Sequence, residues 1–522
     1  NNGITFYNQS YWEVRDLELY DPDTTGEPNQ SVYNRGINIT GMDAGELRHF
    51  YFDNLTIHGF HGPNSNIGKS SGGILMEVQS VAGEPASEHI PTSINDIRIT
   101  NCELYDLGRS GVNFVTVWAR RAETTDTKWG PYPSNHGTNW RGYTRTPYQD
   151  FYLANNYIHN IDGDGCIVDT CDDAVVEHNL VYRCEENAPM AVGLFNWNSN
   201  NTIFQFNEVY DTQRGGDAQG IEIDALNDTT YVQYNYLHDN AGGSLMWCNT
   251  AGLYGFDGIF RYNIFQNDDR EHGLLDMRTG CFNGQCYNNT FYMKEGGYQN
   301  FTTGAAGISK VSFYNNIFYY PGDEPFTANN FMESNIDWEA NLFYNFTNVP
   351  SNDTSVITED PLFVDPGKGG TGAYPGDVVD LSGYALQEGS PAMDAGIPIT
   401  DNGGRDYFGN PVSGLPDIGA YDSGSTSLRL GSSVYEIDQE TKTVLIPDSG
   451  SLEVDDVLAN LVYDSSVTIG IFRGQDVVEG QIADGDVVKL SLDGREALYT
   501  LTVVHDPELL FLTSDVYTID QE

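Results

Sequence analysis

Basic residues are scarce in this chain of 522 residues, where 25 Lys and Arg stand against 75 Asp and Glu and the formal charge is −50. Nucleic acids and anionic membranes both bind through clustered cations, so neither is expected as a partner. No run of 18 apolar residues occurs, so membrane insertion is not predicted either. The acidic balance favours a soluble, monomeric protein in an extracellular or cell-surface location.

Zinc signatures and helical periodicity are also lacking. Seven cysteines occur at spacings that match no zinc motif. Cys281 and Cys286 are near enough in the chain to close a small loop. Buried free thiols are the simpler prediction, because six of the seven lie in or beside predicted strands.

What the sequence does contain is a short repeat, in which an Asn separates two β-rich runs, as in VVEHNLVYR, IFQFNEVYD and YVQYNYLHD. The asparagines of seven copies recur every 25 to 28 residues: Asn179, Asn207, Asn235, Asn263, Asn288, Asn315 and Asn341. Short strands at such a period indicate a solenoid. We predict an all-β chain with a right-handed parallel β-helix of at least ten coils over residues 1–422. The asparagines should stack as an amide ladder.

The remainder of the chain divides by composition. Residues 358–421 are rich in loops and are predicted to close the C-terminal end of the solenoid, where a strand edge would otherwise be exposed. Residues 423–432 read as a linker that begins SGSTS. Residues 433–522 are predicted to form a small β-module, and SSVYEIDQE at 432–440 recurs as SDVYTIDQE at 514–522, where a second copy begins.

One coil carries a long insertion at residues 117–149. It contains Trp129, Trp140 and Arg141 among other aromatic and basic residues. Aromatic faces beside hydrogen-bonding side chains suit sugar rings, so these three are candidate substrate contacts. The alternative is a loop that only covers the flank of the solenoid.

Alignment of the coils on their asparagines brings polar residues together. The strands GCIVD, GLFN, GIEID and GLLD all begin with Gly and end on a polar residue, which predicts one column of Asp169, Asn196, Asp224 and Asp276. Trp197 and Trp247 lie beside this column and are candidate sugar contacts. The preceding turns are acidic too, and they place Asp162 and Asp217 seven residues before Asp169 and Asp224.

Such a carboxylate cluster has two interpretations. It could be surface charge or a structural calcium site. It could also hydrolyse a glycosidic bond with two carboxyl groups, and that reaction requires no cofactor or metal. Asp217 and Asp224 belong to one coil and could approach to ~5 Å, which suits retention, whereas Asp169 and Asp224 lie two coils apart at ~9–10 Å, near the inverting range.

The segments GGDAQGIEIDALNDTTYVQYNYLHDN, DGDGCIVDTCDDAVVEHN and DPLFV…GSPAMDAG…PDIGAYD resemble bacterial carbohydrate-active β-helix proteins over about 420 residues. The Asp-x6-Asp pair at Asp217 and Asp224 resembles the catalytic pair of glycoside hydrolase family 136. The resemblance implies a lacto-N-biosidase that retains configuration and releases a disaccharide from an oligosaccharide or glycan. We assign Asp224, on a strand, as nucleophile and Asp217, in a Gly-flanked turn, as general acid/base.

Two other functions remain open at this point. A calcium-dependent polysaccharide lyase or epimerase would need a cationic or imidazole base, and the candidates near the column are Arg214, Arg270, His272 and Arg278. A non-catalytic, glycan-binding adhesin would need only a flat surface on the solenoid.

Overall fold

The computed structural model describes residues 2–504 with internal gaps. The gaps are residues 23–31, 64–68, 82–83, 122–128, 130–142, 214–215, 250–252, 269–272, 279, 297–299, 304–309, 413, 425–427, 433, 440, 449–450, 464–466 and 493–494. Within this part the chain forms three long parallel sheets and a separate six-stranded sheet, so the predicted parallel β-helix followed by a small β-module is confirmed. None of the helices in these residues has the length and hydropathy to cross a bilayer.

Most coils of the solenoid contribute one strand to each long sheet, in chain order. One coil gives two short strands to the second sheet, Cys171–Asp172 and Val175–Glu177, and the described strands of the last coil belong to the second and third sheets. The first sheet contains Asn2–Tyr7, Arg35–Gly41, Gly72–Val78, Ser110–Thr116, Asp164–Asp169, Leu194–Trp197, Ile221–Asp224, Leu245–Cys248, Leu275–Met277 and Thr302–Thr303. The second contains Trp12–Arg15, Glu46–Asp53, Ser93–Thr100, Tyr148–Ala154, Cys171–Asp172, Val175–Glu177, Asn200–Gln205, Asp228–Gln233, Gly255–Arg261, Cys281–Tyr287, Lys310–Tyr314 and Ile336–Glu339. The third contains Glu18–Tyr20, Thr56–His58, Glu103–Leu107, Tyr157–Ile161, Leu180–Tyr182, Glu208–Tyr210, Tyr236–His238, Ile264–Gln266, Thr290–Tyr292, Ile317–Tyr319 and Leu342–Tyr344. Short 3-10 turns lie at Ala86–Glu88 and Ser382–Tyr384.

The core of the solenoid consists of side-chain columns. In the third sheet Leu237, Phe265 and Phe291 occupy matched positions in successive coils, and the two phenylalanine rings stack at 4.6 Å between centroids. Alternation along each strand turns such residues inward and their neighbours outward. All seven cysteines are buried free thiols, as predicted.

The amide ladder is present, but two of its members were predicted wrongly. Side-chain amides link Asn235 to Asn263, Asn263 to Asn289 and Asn289 to Asn316, at 2.9 to 3.0 Å. The predicted members Asn288 and Asn315 are instead the residues just before the ladder and have positive φ, 51° and 52°. The chain has two consecutive asparagines in these coils, and only the second follows the left-handed bend that aims a side chain into the ladder.

The segment that follows the last coil does not close the end of the solenoid, contrary to prediction. It runs back along the outer face of the third sheet, where Leu381 and Tyr384 pack in a cluster with Tyr236 and Ile264. The end of the ladder is satisfied instead by Asp353, which accepts the side-chain amide of Asn341 at 3.0 Å. The lateral path buries the apolar side chains of this segment against the third sheet.

The C-terminal module has its own core and its own sheet. Its strands are Glu436–Asp438, Thr443–Pro447, Thr468–Arg473, Asp476–Val477, Val487–Leu492 and Arg495–Val504, and its helix is Val454–Ala459. Leu428 and Leu430 pack into this core, so the module takes in the end of the segment predicted as linker. The predicted start of a second copy at 514 lies outside the described residues.

Candidate active site

A cavity of about 270 Å³ opens on the solvent side of the first sheet. Its lining includes the acids Asp164, Asp169, Asp217, Glu222 and Asp224, the cations Lys69 and Arg278, and the aromatic rings of Phe195 and Trp197. Strands of several successive coils, and the turns beside them, supply these side chains. Glycines that lead the strands allow this close stacking: a Cβ on Gly193 would come within 2.5 Å of the carbonyl oxygen of Gly220.

The register of the first sheet corrects the predicted column by one residue. Asp169 aligns with Trp197, whereas Asn196 aligns with Val168 and with Ile223. Asn196 is fully buried and donates its amide to Thr230 at 2.8 Å. Because side chains alternate along a strand, a shift of one residue moves a side chain from the surface to the core.

Trp247 was also predicted at the surface and is in the core. It aligns with Ile223, has no exposed surface and packs edge-on against Phe260 at 4.9 Å between ring centroids. The outward position of its strand belongs to Cys248, which aligns with Asp224. The column that faces the cavity is therefore Asp169, Trp197, Asp224 and Cys248 in consecutive coils.

Asp217 and Asp276 are joined through one guanidinium group. Arg278 Nη2 lies 2.9 Å from Asp217 Oδ1 and 3.2 Å from Asp276 Oδ2. Asp276 is almost fully buried and lies one column away from Asp224, beside Met246. Among the described residues the lining of the cavity includes Arg278 but not Asp276, which does not fit the predicted role of a direct sugar contact.

Asp224 and Glu222 form a close carboxyl pair on one strand. They flank Ile223, so both project outward, and their nearest oxygens lie within 4.8 Å of each other and of Cys248 Sγ. Burial, reinforced by the neighbouring carboxylates, raises the pKa of both groups. The backbone N–H of Ala225, at 2.7 Å from Asp224 Oδ1, and the charge of Lys69 oppose this rise at Asp224.

A buried ion cluster supports one side of the cavity. Asp164 is fully buried and bonds both Arg109, at 2.7 Å, and Lys69, at 2.9 Å. Lys69 Nζ also lies 4.6 Å from the centre of the Phe195 ring. Next to this cluster Glu185 is fully buried, and burial together with the charges of Asp217 and Asp164 raises its pKa to about 8.

Among the described residues, the group whose side chains could jointly hold a metal ion is Glu222, Asp224 and Cys248. Arg278 Nη1 already donates to Cys248 Sγ at 3.3 Å. A guanidinium in this place supplies the positive charge that a cation would bring and would repel one. We therefore treat the three side chains as part of the carboxyl cluster.

The insertion is anchored beside the site. Arg121 is buried, donates to Asn198 Oδ1 at 2.8 Å and to the carbonyl of Leu226, and stacks over the ring of Trp129 at 3.9 Å. Trp129 is only 3% exposed and packs on Ala225 and Leu226, so it supports the turn after Asp224 rather than facing the cavity. The other two predicted contacts, Trp140 and Arg141, lie outside the described residues.

Sequence reasoning missed Glu222 and Lys69. Glu222 was within reach, because it lies two residues before Asp224 in a strand and must share its face. Nothing in the sequence indicates that Lys69 lies near Asp224, because Lys69 comes from a coil more than 150 residues away in the chain. Its backbone has a positive φ of 41°.

Comparisons with known proteins confirm the resemblance predicted from the sequence. The chain is 26% identical to the lacto-N-biosidase of Bifidobacterium longum subsp. longum, in an alignment that covers 90% of this chain and 32% of that protein. The chain thus spans about a third of the length of this curated relative. No family model matches the chain.

Two solved structures were also compared. A GH136 lacto-N-biosidase from Eubacterium ramulus is 21% identical, with a TM-score of 0.46 over 58% of this chain and 48% of that chain. The pectate lyase Pel9A is 13% identical, with a TM-score of 0.38 over 78% of this chain and 97% of that chain.

Proposed function

We propose that this chain carries the active site of a glycoside hydrolase that cleaves a complex or host-type glycan with retention of configuration. The observation that carries the proposal is the meeting of Asp217 and Asp224, seven residues apart in one coil, in a single cavity beside Trp197. Two carboxyl groups are what glycoside hydrolysis requires, and an aromatic ring offers a face for a sugar.

The proposed product is a disaccharide such as lacto-N-biose. Its support is the similarity to a protein named lacto-N-biosidase, which covers 90% of this chain. The cavity of about 270 Å³ is of a size for a small part of a glycan rather than for a long polymer groove.

In the proposed mechanism Asp224 attacks the anomeric carbon and Asp217 protonates the leaving oxygen. Asp224 ends a strand that is paired on both sides, and the Ala225 N–H holds one of its oxygens at 2.7 Å, so the carboxylate keeps its direction. Asp217 lies in a turn, where it can approach the glycosidic oxygen from the side. It would then return as base to activate water in the second step.

Azide rescue distinguishes the two roles. Purified wild type is assayed on aryl lacto-N-bioside and on milk-type oligosaccharides, beside Asp217→Gly and Asp224→Gly. Each variant should lose about 10³-fold or more in kcat. With azide, the acid/base variant should yield a glycosyl azide of retained configuration and the nucleophile variant one of inverted configuration.

Two results of that assay would contradict the proposal. Exchanged stereochemistry would reverse the roles of Asp217 and Asp224. A near-native rate in Asp217→Gly, with Asp224→Gly and Asp169→Asn both inactive, would replace the retaining pair by the inverting pair of Asp169 and Asp224.

A polysaccharide lyase or epimerase is the second candidate, because Lys69 and Arg278 line the cavity. Both cations are already bonded to carboxylates, and five acidic side chains line the same space, which makes it unfavourable for a polyuronate. The predicted bases Arg214, Arg270 and His272 lie outside the described residues. A product with the ultraviolet absorbance of an unsaturated uronate would establish the lyase.

A further inference from the structure

Glu222 is a third carboxyl group in the cavity that the two-aspartate mechanism leaves unused. Only 3% of the residue is exposed, although it lines the same cavity as Asp224. Its matched neighbours in the adjacent coils are Phe195 and Met246, which are both apolar. A carboxyl group placed between two apolar side chains is costly to bury unless it is hydrogen-bonded.

The surroundings assign the proton to Glu222 rather than to Asp224. Asp224 accepts the Ala225 N–H and lies under the influence of Lys69, and both favour its ionised form. Glu222 has apolar neighbours on two sides, so its charged form is the less stable of the two. Two carboxyl groups this close do not both ionise readily, and the proton therefore stays on the less solvated one.

The charged and titratable groups that face Glu222 come from four places in the fold. They are Asp224 on its own strand, Cys248 on the next strand, Asp217 in the preceding turn and Arg278 after the strand beyond. Arg278 is already bonded to Asp217, Asp276 and Cys248. Arg278 and the thiol of Cys248 offset only part of the cost of an ionised Glu222, because burial and the charges of Asp224 and Asp217 outweigh them.

We propose that Glu222 is a positioning residue, a neutral carboxylic acid that donates a hydrogen bond, directly or through one water, to the carboxylate of Asp224. The separation of at most 4.8 Å between their nearest oxygens allows either geometry. This bond would hold the second oxygen of Asp224 while Ala225 N–H holds the first. The inference rests on the proposed function, in which Asp224 is the nucleophile.

The test compares two variants. Glu222→Met removes the donor and places in this coil the residue that the next coil has at the matched position, Met246, so the fold should accept it. We expect kcat to fall about 10- to 100-fold with KM little changed, as for the loss of one hydrogen bond to a charged group. Glu222→Gln keeps an N–H donor and should retain kcat within a few-fold of wild type.

A merely structural role predicts a different pattern. Both folded variants would then keep the wild-type kcat, and that result would overturn the proposal. An equal, large loss in both variants would also overturn it, because it would mean that the transferable proton of Glu222, and not its hydrogen bond, is needed. Glu177→Gln is the matched control: its carboxylate lies on the second sheet and accepts from Tyr152 at 2.7 Å, and its kcat should match wild type.

Infrared difference spectroscopy tests whether Glu222 is protonated, without relying on activity. The difference spectrum between wild type and Glu222→Gln at pH 7 should contain the carbonyl band of a protonated carboxylic acid, and the control pair with Glu177→Gln should lack it. If wild type cleaves no glycan but the band is present, the proposed function fails and the proton assignment stands. If the band is missing from an active enzyme, the assignment of Glu222 is wrong.

Discussion

Replacement of Glu185 by Gln should stabilise the protein, and increasingly so as the pH rises. The Glu185 side chain is fully buried, and neither of its oxygens meets a hydrogen-bond donor in good geometry among the described residues. Burial raises its pKa from 4.5 to about 8. Because the folded-state pKa is raised, the favourable contribution to folding is complete below about pH 4.5 and is lost as the pH rises through about 8.

The size of the effect follows from the two pKa values. The rise in the pKa of Glu185 from 4.5 to about 8 sets an upper limit on the unfolding free energy that its ionisation removes. This limit is ~3 kcal/mol at pH 7 and ~4 kcal/mol at pH 8. A Gln side chain has nearly the same shape and never ionises. At ~2 cal/mol/K per residue, a chain of this length shifts in Tm by ~1 °C per kcal/mol, so Glu185→Gln should gain ~3–4 °C at pH 8.

The assay is thermal unfolding by circular dichroism between pH 5 and pH 8. The curves of Tm against pH for wild type and Glu185→Gln should nearly meet at the acid end and separate toward the alkaline end. Glu177→Gln provides the control: it replaces a carboxylate that accepts bonds from Tyr152 and Gln205, so it should not exceed wild type at pH 8. Parallel curves for Glu185→Gln and wild type would refute the reasoning.

Three further predictions concern the ladder, the cavity and metals. Asn235→Ala should lower the unfolding free energy by ~3–5 kcal/mol, because its amide bonds both neighbours, Asn207 and Asn263, at 3.0 Å. Chemical denaturation should give a smaller loss for Asn330→Ala, at an exposed position outside the ladder. Trp197→Ala should raise KM ~10-fold with little change in kcat if the ring binds a sugar, and unchanged KM would remove it from the site. Dialysis against a chelator should leave activity unchanged, whereas a loss restored by Ca²⁺ would favour the structural calcium site.

Much of the fold could be predicted because the same sequence pattern recurs along a solenoid. From Asn179 onward successive coils contain similar short strands and an Asn at the bend, so the period identified the parallel β-helix without any knowledge of distant contacts. The spacing of Asp217 and Asp224 placed both in one coil for the same reason. That they line one cavity is a finding of the structure.

Choices between adjacent residues could not be read from the repeat. Asn196 and Trp197 are neighbours, and both are plausible at the end of a strand, yet the first is buried and the second lines the cavity. Asn288 and Asn289 present the same ambiguity at the ladder. A strand has a period of two, so an error of one residue exchanges the core for the surface, and only the register of the paired strands decides.

The sequence by itself determined the repeating backbone, the stacked asparagines and the coil that carries the two aspartates, since each depends on residues near one another in the chain. Only the tertiary structure decided which charges surround those aspartates. Lys69 and Arg278 come from coils far from Asp224 in sequence, and Glu222 owes its burial to Phe195 and Met246 in the coils on either side. The protonation of a carboxyl group depends on every charge and every apolar surface within a few ångströms, and the stacking of coils sets these distances.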